Sequence, residues 1–337
     1  MRKCRAVIWK IRCDSPLSEQ SASGCRTNRA GCGSLDCGET QKAEKYERLK
    51  SKKVRKIRKD ENQSDNKYEE GFTYMIADCH MHTEFSTDSE TRVEDQVEQA
   101  IRLGMDHICI TDHMDMDYPG GEFQLDTDRY VEKILQVKEQ YKDKIDISLG
   151  VEVGLQEHLK DRINQYIASY PFDFVIGSMH LIYGEDPYYK KIFNSIGDEA
   201  AYREYFRATL ANLKDAPDIQ TLGHLDYVVR YGLEKEKEYS YAKFSQEIDE
   251  ILKCLIEKEI ALEVNTAGIR ILSFTNPHPD VIRRYRELGG EMITIGSDGH
   301  TPDVLGYGFS EIPELVKSCG FRYYTVFHEK KPNFMKL

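Results

Sequence analysis

The stretch Tyr74-Met-Ile-Ala-Asp-Cys-His80-Met-His82 decides how the rest of the chain is read. A short run of β-forming residues ends on two histidines two positions apart. Residues at i and i+2 of an extended chain point the same way, so both imidazoles can reach one ion. The question is then whether later strands also end in metal-binding side chains.

They do. From Tyr74 onward, β-rich runs alternate with longer stretches of helical period, the pattern of βα units around a parallel sheet. Strands are expected at 74–79, 107–111, 145–151, 174–178, 221–224, 261–265 and 292–297. Helices are expected at 92–103, with Val93, Val97, Ala100, Ile101 and Leu103 on one side, and at 241–257, with Phe244, Ile248, Ile251, Leu252 and Leu255. Gly104 and Gly289 stand where left-handed C-caps are wanted. The run 322–327 reads as an eighth, closing strand. Residues 181–197, rich in Tyr with Gly and Pro, read as a long loop over one strand end.

Chemistry-bearing residues follow the strands: His80 and His82 after the first, Asp112 and His113 after the second, and Glu152 after the third. His180 follows the fourth, His224 and Asp226 lie around the fifth, and Asp298 and His300 follow the seventh. In a closed β/α barrel these carboxyl ends converge on one face, where active sites form. The supply is His80, His82, Asp88, His113, Glu152, His180, His224, Asp298 and His300. That exceeds the roughly four to six positions of one ion and suits two or three ions sharing carboxylates, with Glu152 and Asp298 as the bridging candidates. Imidazole and carboxylate without thiolate suit Zn²⁺, Mn²⁺ or Fe²⁺. His107, His158, His278 and His328 fall elsewhere and read as structural or exposed.

Composition separates an N-terminal extension from this region. Residues 1–70 carry 18 Lys/Arg against 11 Asp/Glu, while the whole chain is −11, leaving about −18 for the remainder. The extension is poor in large apolar residues, rich in Ser, Gly and Cys, and carries the basic run Lys50 to Lys59, so it is expected to be disordered, a solvated tail. Its cysteines, Cys4, Cys13, Cys25, Cys32 and Cys37, lack the paired spacing of a zinc site. Met75, immediately before the first expected strand, is an alternative start. No secretory signal and no run approaching about 18 apolar residues is evident, so no membrane span is expected. Cys79, Cys109, Cys254 and Cys319 sit singly in apolar runs, as free thiols do in a reducing cytoplasm. The acidity of the barrel region argues against long nucleic acid as its substrate.

The ordered motifs Asp78-Cys-His80-Met-His82 with Asp88, Thr111-Asp112-His113, Gly150-Val-Glu152, Gly177-Ser-Met-His180, Gly223-His224-Leu-Asp226, Glu263-Val-Asn265-Thr and Gly296-Ser297-Asp298-Gly-His300 resemble the PHP superfamily of phosphoesterases. Within it, the length, the Tyr-rich insert after Ser-Met-His and the run Asn265 to Arg270 look most like the single-domain histidinol-phosphatases. The resemblance covers the chain from about Met75 onward. It implies an α/β fold, a distorted (β/α)7 barrel of the PHP type, holding three metal ions. By position, His80, His82, Glu152 and Asp298 would hold the first, Glu152, His180 and His224 the second, and Asp88, His113 and His300 the third. Some members of the superfamily place a histidine at the position of Asp88. The implied reaction is hydrolysis of a small phosphomonoester, L-histidinol phosphate, by a metal-bridging hydroxide. Nucleotides, oligonucleotide ends and phosphotyrosine are the alternative substrates, and a non-catalytic module is the reading outside enzymes. Asp226 is a candidate general acid or a support for an imidazole. Arg270 and Arg230 are candidates for a bidentate clamp on the phosphate.

Overall fold

The computed structural model describes residues 76–337. The expectations for residues 1–70 and for a start at Met75 lie outside the described residues. In chain order the regular elements are α1 (Val93–Arg102), β1 (His107–Ile110), β2 (His113–Met114), α2 (Thr127–Tyr141), β3 (Asp146–Gly154), α3 (Lys160–Ser169), β4 (Phe174–Ser178), α4 (Lys191–Ile196) and α5 (Asp198–Lys214). They continue with β5 (Thr221–Leu222), α6 (Ser245–Lys258), β6 (Ala261–Asn265), α7 (Ala267–Ile271), α8 (Pro279–Glu287), β7 (Ile293–Gly296), α9 (Ile312–Ser318), β8 (Tyr323–His328) and β9 (Lys331–Lys336).

The main sheet runs β1-β3-β4-β5-β6-β7, every pair parallel, with β2 prolonging the line of β1 beside β3. Residues of β1, β4, β6 and β7 are buried on both faces, as a helix-covered parallel sheet demands. The helices supply the cover. In α1, Val93, Val97 and Ala100 make one apolar stripe, and Gly104, at φ +75°, ends the helix in the left-handed conformation a Cβ disfavours. In α6, Ile248, Ile251, Leu252 and Leu255 are completely buried, each stabilising the fold by about 1.5–3 kcal/mol.

Segment 78–82 closes the ring. The Cys109 amide donates to the Asp78 carbonyl (2.9 Å) and that of Thr111 to Met81 (3.0 Å), on the β1 side. On the other side the Cys79 amide donates to Ile295 of β7 (2.9 Å) and that of His82 to Gly299 (3.0 Å). Among its described residues the segment forms only the isolated bridges Asp78↔Ile108 and Met81↔Gly299; residues 74 and 75 of the strand expected at 74–79 lie outside the described residues. The result is the distorted β/α barrel that the sequence pattern predicts.

Two expectations change. The run 322–327 does not enter the ring: β8 pairs antiparallel with β9 in a separate hairpin. That hairpin covers the amino-terminal end of the barrel, where Phe327 stacks on Phe174 (centroids 5.4 Å) and the Lys330 amide donates to the Asp173 carbonyl (2.8 Å). The insert 181–197 is not a plain loop either. Asp186 caps a short turn by accepting from the Tyr188 amide (2.7 Å), and α4 follows, anchored by buried Phe193.

Candidate metal centre

Each strand end delivers its side chains to one point. Glu152 lies inside β3, opposite His113 of β2, because β3 runs on to Gly154. Its carboxylate is completely buried and faces five imidazoles. Oε1 is 3.0 Å from His224 Nε2 and 3.3 Å from His180 Nε2. Oε2 is 3.0 Å from His113 Nδ1, 3.2 Å from His80 Nε2 and 3.5 Å from His82 Nε2. Asp298 approaches from β7, with Oδ1 3.4 Å from His82 and 3.8 Å from His80. Its backbone is left-handed, φ +53°, a conformation Asp tolerates better than most residues and one that concentrates at functional sites. At the rim, Asp88 Oδ2 is 3.1 Å from His300 Nε2 and 3.7 Å from His113 Nε2. His113 therefore turns one nitrogen to the buried carboxylate and the other to the rim.

Outer partners fix which nitrogen each ring presents. His80 Nδ1 lies 2.6 Å from Glu263 Oε1, and His180 Nδ1 lies 2.7 Å from Asp115 Oδ2. His82 Nδ1 meets Ser86 Oγ (3.1 Å), whose hydroxyl donates to Asp112 (2.7 Å). His300 Nδ1 meets the Asp298 carbonyl (3.1 Å). His80 Nε2 and His82 Nε2 face each other at 3.1 Å, both turned into the cluster. Neutral imidazoles oriented through their distal nitrogen are the form in which His binds a metal. The fit to divalent cations rests on this pair and on Glu152 Oε2 and His113 Nδ1, 3.0 Å apart, both buried and without hydrogen-bond partners.

Electrostatics divide the rings. Burial would lower His80, His113 and His180, but the carboxylates facing them, Glu152 among them in each case, outweigh it and raise all three. Burial, then the charges of His113 and His300, push His82 down to about 3, so it is neutral at pH 7. Burial likewise lowers His224. Burial would raise Glu152, but His80, His180 and His113 together hold it well below the carboxylate range. Burial would lower His300, but the hydrogen bond to Asp88 and the charges of Asp298 and Asp88 together lift it to about 9.

Above the cluster lies a cavity of about 120 Å³, walled by Tyr118, Phe123, Tyr227 and Tyr231 as well as Asp115, Asp186, Arg230 and the rim donors. Tyr118 Oη donates to Asp186 (2.5 Å), tying the insert to the loop after β2. Arg230 is buried in this wall, donating to Asn276 (2.8 Å), Asn265 (2.9 Å) and Asp298 Oδ2 (3.1 Å). Arg270 is part-exposed and bonds the Asp298 carbonyl (3.2 Å); it is not among the lining residues. Asp226 is completely buried below the cavity and accepts from Asn276 Nδ2 (2.5 Å) and the His278 amide (2.9 Å). Sequence reasoning gave no role to Glu263 or Asp115. Asp115 sits two residues beyond His113, a period-2 signal that could have found it; Glu263 is a single carboxylate inside the apolar run Ala-Leu-Glu-Val-Asn. Of the other histidines, His278 caps α8 by accepting from the Asp280 amide (3.1 Å), and His158 pairs with Asp117 at the surface.

A β/α ring that gathers imidazoles and carboxylates at its carboxyl rim defines a class of barrel built around clustered cations. The chain belongs to the PHP domain family, whose model matches residues 78–267. It is 35% identical to a probable histidinol-phosphatase of Clostridium acetobutylicum, over 76% of this chain and 98% of that one. It is 36% identical to a histidinol-phosphatase of Lactococcus lactis, over 75% and 95%. A crystal structure of histidinol phosphate phosphatase from Lactococcus lactis, complexed with Zn, L-histidinol and phosphate, superposes with a TM-score of 0.72 at 35% identity, covering 77% of this chain and all of that one.

Proposed function

We propose that this protein hydrolyses L-histidinol phosphate to L-histidinol and phosphate at the barrel rim. It is a phosphoric monoester hydrolase of the histidinol-phosphatase type, which places it in histidine biosynthesis. The observation that carries the reading is Glu152 enclosed by five imidazoles, a buried nitrogen and carboxylate set that fits divalent cations.

We assign His80, His82, Glu152 and Asp298 to one ion and Glu152, His180 and His224 to a second, with Asp88, His113 and His300 at a third position on the rim. Zn²⁺, Mn²⁺ and Fe²⁺ all suit these donors. Bound there, such ions neutralise a phosphomonoester dianion and make water acidic enough to be a nucleophile near pH 7. The chain's own groups do the rest. Glu263 and Asp115 hold the Nδ1 protons of His80 and His180, so that both rings keep a lone pair toward the cluster. Arg230, fixed on three sides, presents a guanidinium to the cavity without reorganising as charge shifts on the phosphoryl oxygens. It is better placed for that task than Arg270, which supports the Asp298 turn through its carbonyl. Asp226 supports the loop carrying Arg230 and is not aimed at a leaving group, since both its oxygens are held by Asn276 and His278. The small, aromatic-walled cavity accepts a compact alcohol and excludes a polymer.

Phosphate release from L-histidinol phosphate, beside AMP and phosphotyrosine, tests this on enzyme stripped by chelator and restored with Mn²⁺ or Zn²⁺. Metal-dependent preference for histidinol phosphate is expected. Preference for another ester overturns the substrate, and inactivity with every metal overturns the hydrolase.

A further inference from the structure

A second cluster of donors lies at the opposite end of the barrel. His107 opens β1, Asp146 opens β3 directly beside it in the parallel register, and His328 ends β8 of the C-terminal hairpin. The rings of His107 and His328 stack with centroids 4.8 Å apart, and the two imidazoles and the carboxylate each bring one ligand atom within 4.8 Å of the others. His328 Nε2 stands 3.7 Å from Asp146 Oδ2, too far for a hydrogen bond. Two donors sharing a tetrahedral ion with bonds of about 2.0–2.2 Å stand roughly 3.3–3.5 Å apart, much closer to this separation. His107 Nε2 is 2.9 Å from Ser148 Oγ, which fixes the ring as an outer partner does at the main centre. His107 is buried, whereas the side chains of His328 and Asp146 are 38% and 51% exposed, so an ion can enter from solvent. Lys138, on α2 nearby, is turned to Asp173 at 3.7 Å.

We propose that His107, Asp146 and His328 form a separate divalent-cation site, where a Zn²⁺-class ion clips the C-terminal hairpin to the base of the barrel. Two imidazoles and one carboxylate leave a fourth position for water, and Zn²⁺, Cu²⁺ and Ni²⁺ suit the set better than Mg²⁺ or Ca²⁺. The ion's role is structural. The hairpin also holds to the base through Phe327 on Phe174, the bonds to Asp173, Lys330 donating to Asp218 (3.1 Å) and Tyr324 Oη accepting from the Ala77 amide (3.1 Å); an ion shared by His328 and two strands would fix its end.

The test is a calorimetric titration of holoenzyme, its active centre already filled and free metal removed, with Zn²⁺. Wild type is expected to take up one further equivalent. His328→Ala and, independently, Asp146→Asn are expected to lose that equivalent while keeping kcat/KM on histidinol phosphate, because neither residue approaches the rim. Tryptic cleavage after Lys330, which requires the hairpin to open, should slow about a hundredfold in wild type at a free Zn²⁺ concentration a hundred times the dissociation constant, and in neither variant. Absence of the extra equivalent in wild type overturns the proposal, as does its persistence in both variants.

Discussion

Glu263 does at the scale of one residue what the whole centre requires. One oxygen holds the His80 Nδ1 proton, and the other accepts the His224 amide (2.7 Å) and Asn265 Nδ2 (3.2 Å), so a single carboxylate sets a ring orientation and a turn that delivers a second donor. Glu263→Gln keeps the shape but can turn an amide N–H toward His80. Metal affinity or kcat should fall about 10–100-fold, with the fold retained; unchanged metal content and unchanged kcat would remove Glu263 from the positioning of His80. His82→Ala should abolish turnover with little change in the far-ultraviolet circular dichroism, because barrel stability lies in the packed layers below the rim; wild-type rates would remove His82 from the centre. Most of the rim donors were legible in the sequence because they come at or just past the carboxyl ends of strands. Glu263 was not, because a carboxylate in the middle of an apolar strand has meaning only once the strand's neighbours are known, and His80 comes to it across the closed ring.

Elements were legible where their period is local. The strands at 174–178 and 261–265 have the expected bounds, as fully buried runs between polar turns do. The run 322–327 was correctly a strand and wrongly a barrel stave, because alternation tells that a segment is extended and nothing about which edge it joins. Segment 78–82 differs the other way: it touches β1 and the chain just past β7 at single bridges and forms no continuous ladder with either. Between α6 and α8, Arg284 grips Asp249 through Nε and Nη2 (3.0 and 2.7 Å), and Tyr241 donates to the same carboxylate (2.8 Å). The Arg284 bonds hold Asp249 below the usual carboxylate range. A carboxylate depressed in the fold binds fewer protons than in the unfolded chain, so its contribution is whole above the unfolded pKa and fades as pH falls through the folded one. Asp249→Asn should therefore cost about 0.5–1 kcal/mol at pH 7, the range of a partly exposed pair. The cost should vanish in acid. Urea denaturation at pH 7 and at steps downward through the range below the free-Asp value checks this; a loss that stays equal at every pH would discard the linkage.

For the molecule as a whole, the centre gathers buried imidazoles and carboxylates close enough to share cations. Ions that bind only the folded chain add RT ln(1 + [L]/Kd), about 2.7 kcal/mol for each held at a hundred times its dissociation constant. Removing one such ion should lower Tm by roughly 5–10 °C. Scanning calorimetry with and without chelator measures this, and identical midpoints would mean that no ion stabilises the fold. Among the described residues no helix is long and apolar enough to cross a membrane. Segment 78–82 gives the molecule a built-in gauge. The same few residues that carry His80 and His82 are the last stave of the ring, sewn on both sides by amides of Cys79, His82, Cys109 and Thr111. In deuterated water those four protons should exchange at a pace set by how firmly the centre is filled, so the barrel's own seam reports the occupancy of its mouth, with no substrate needed to ask.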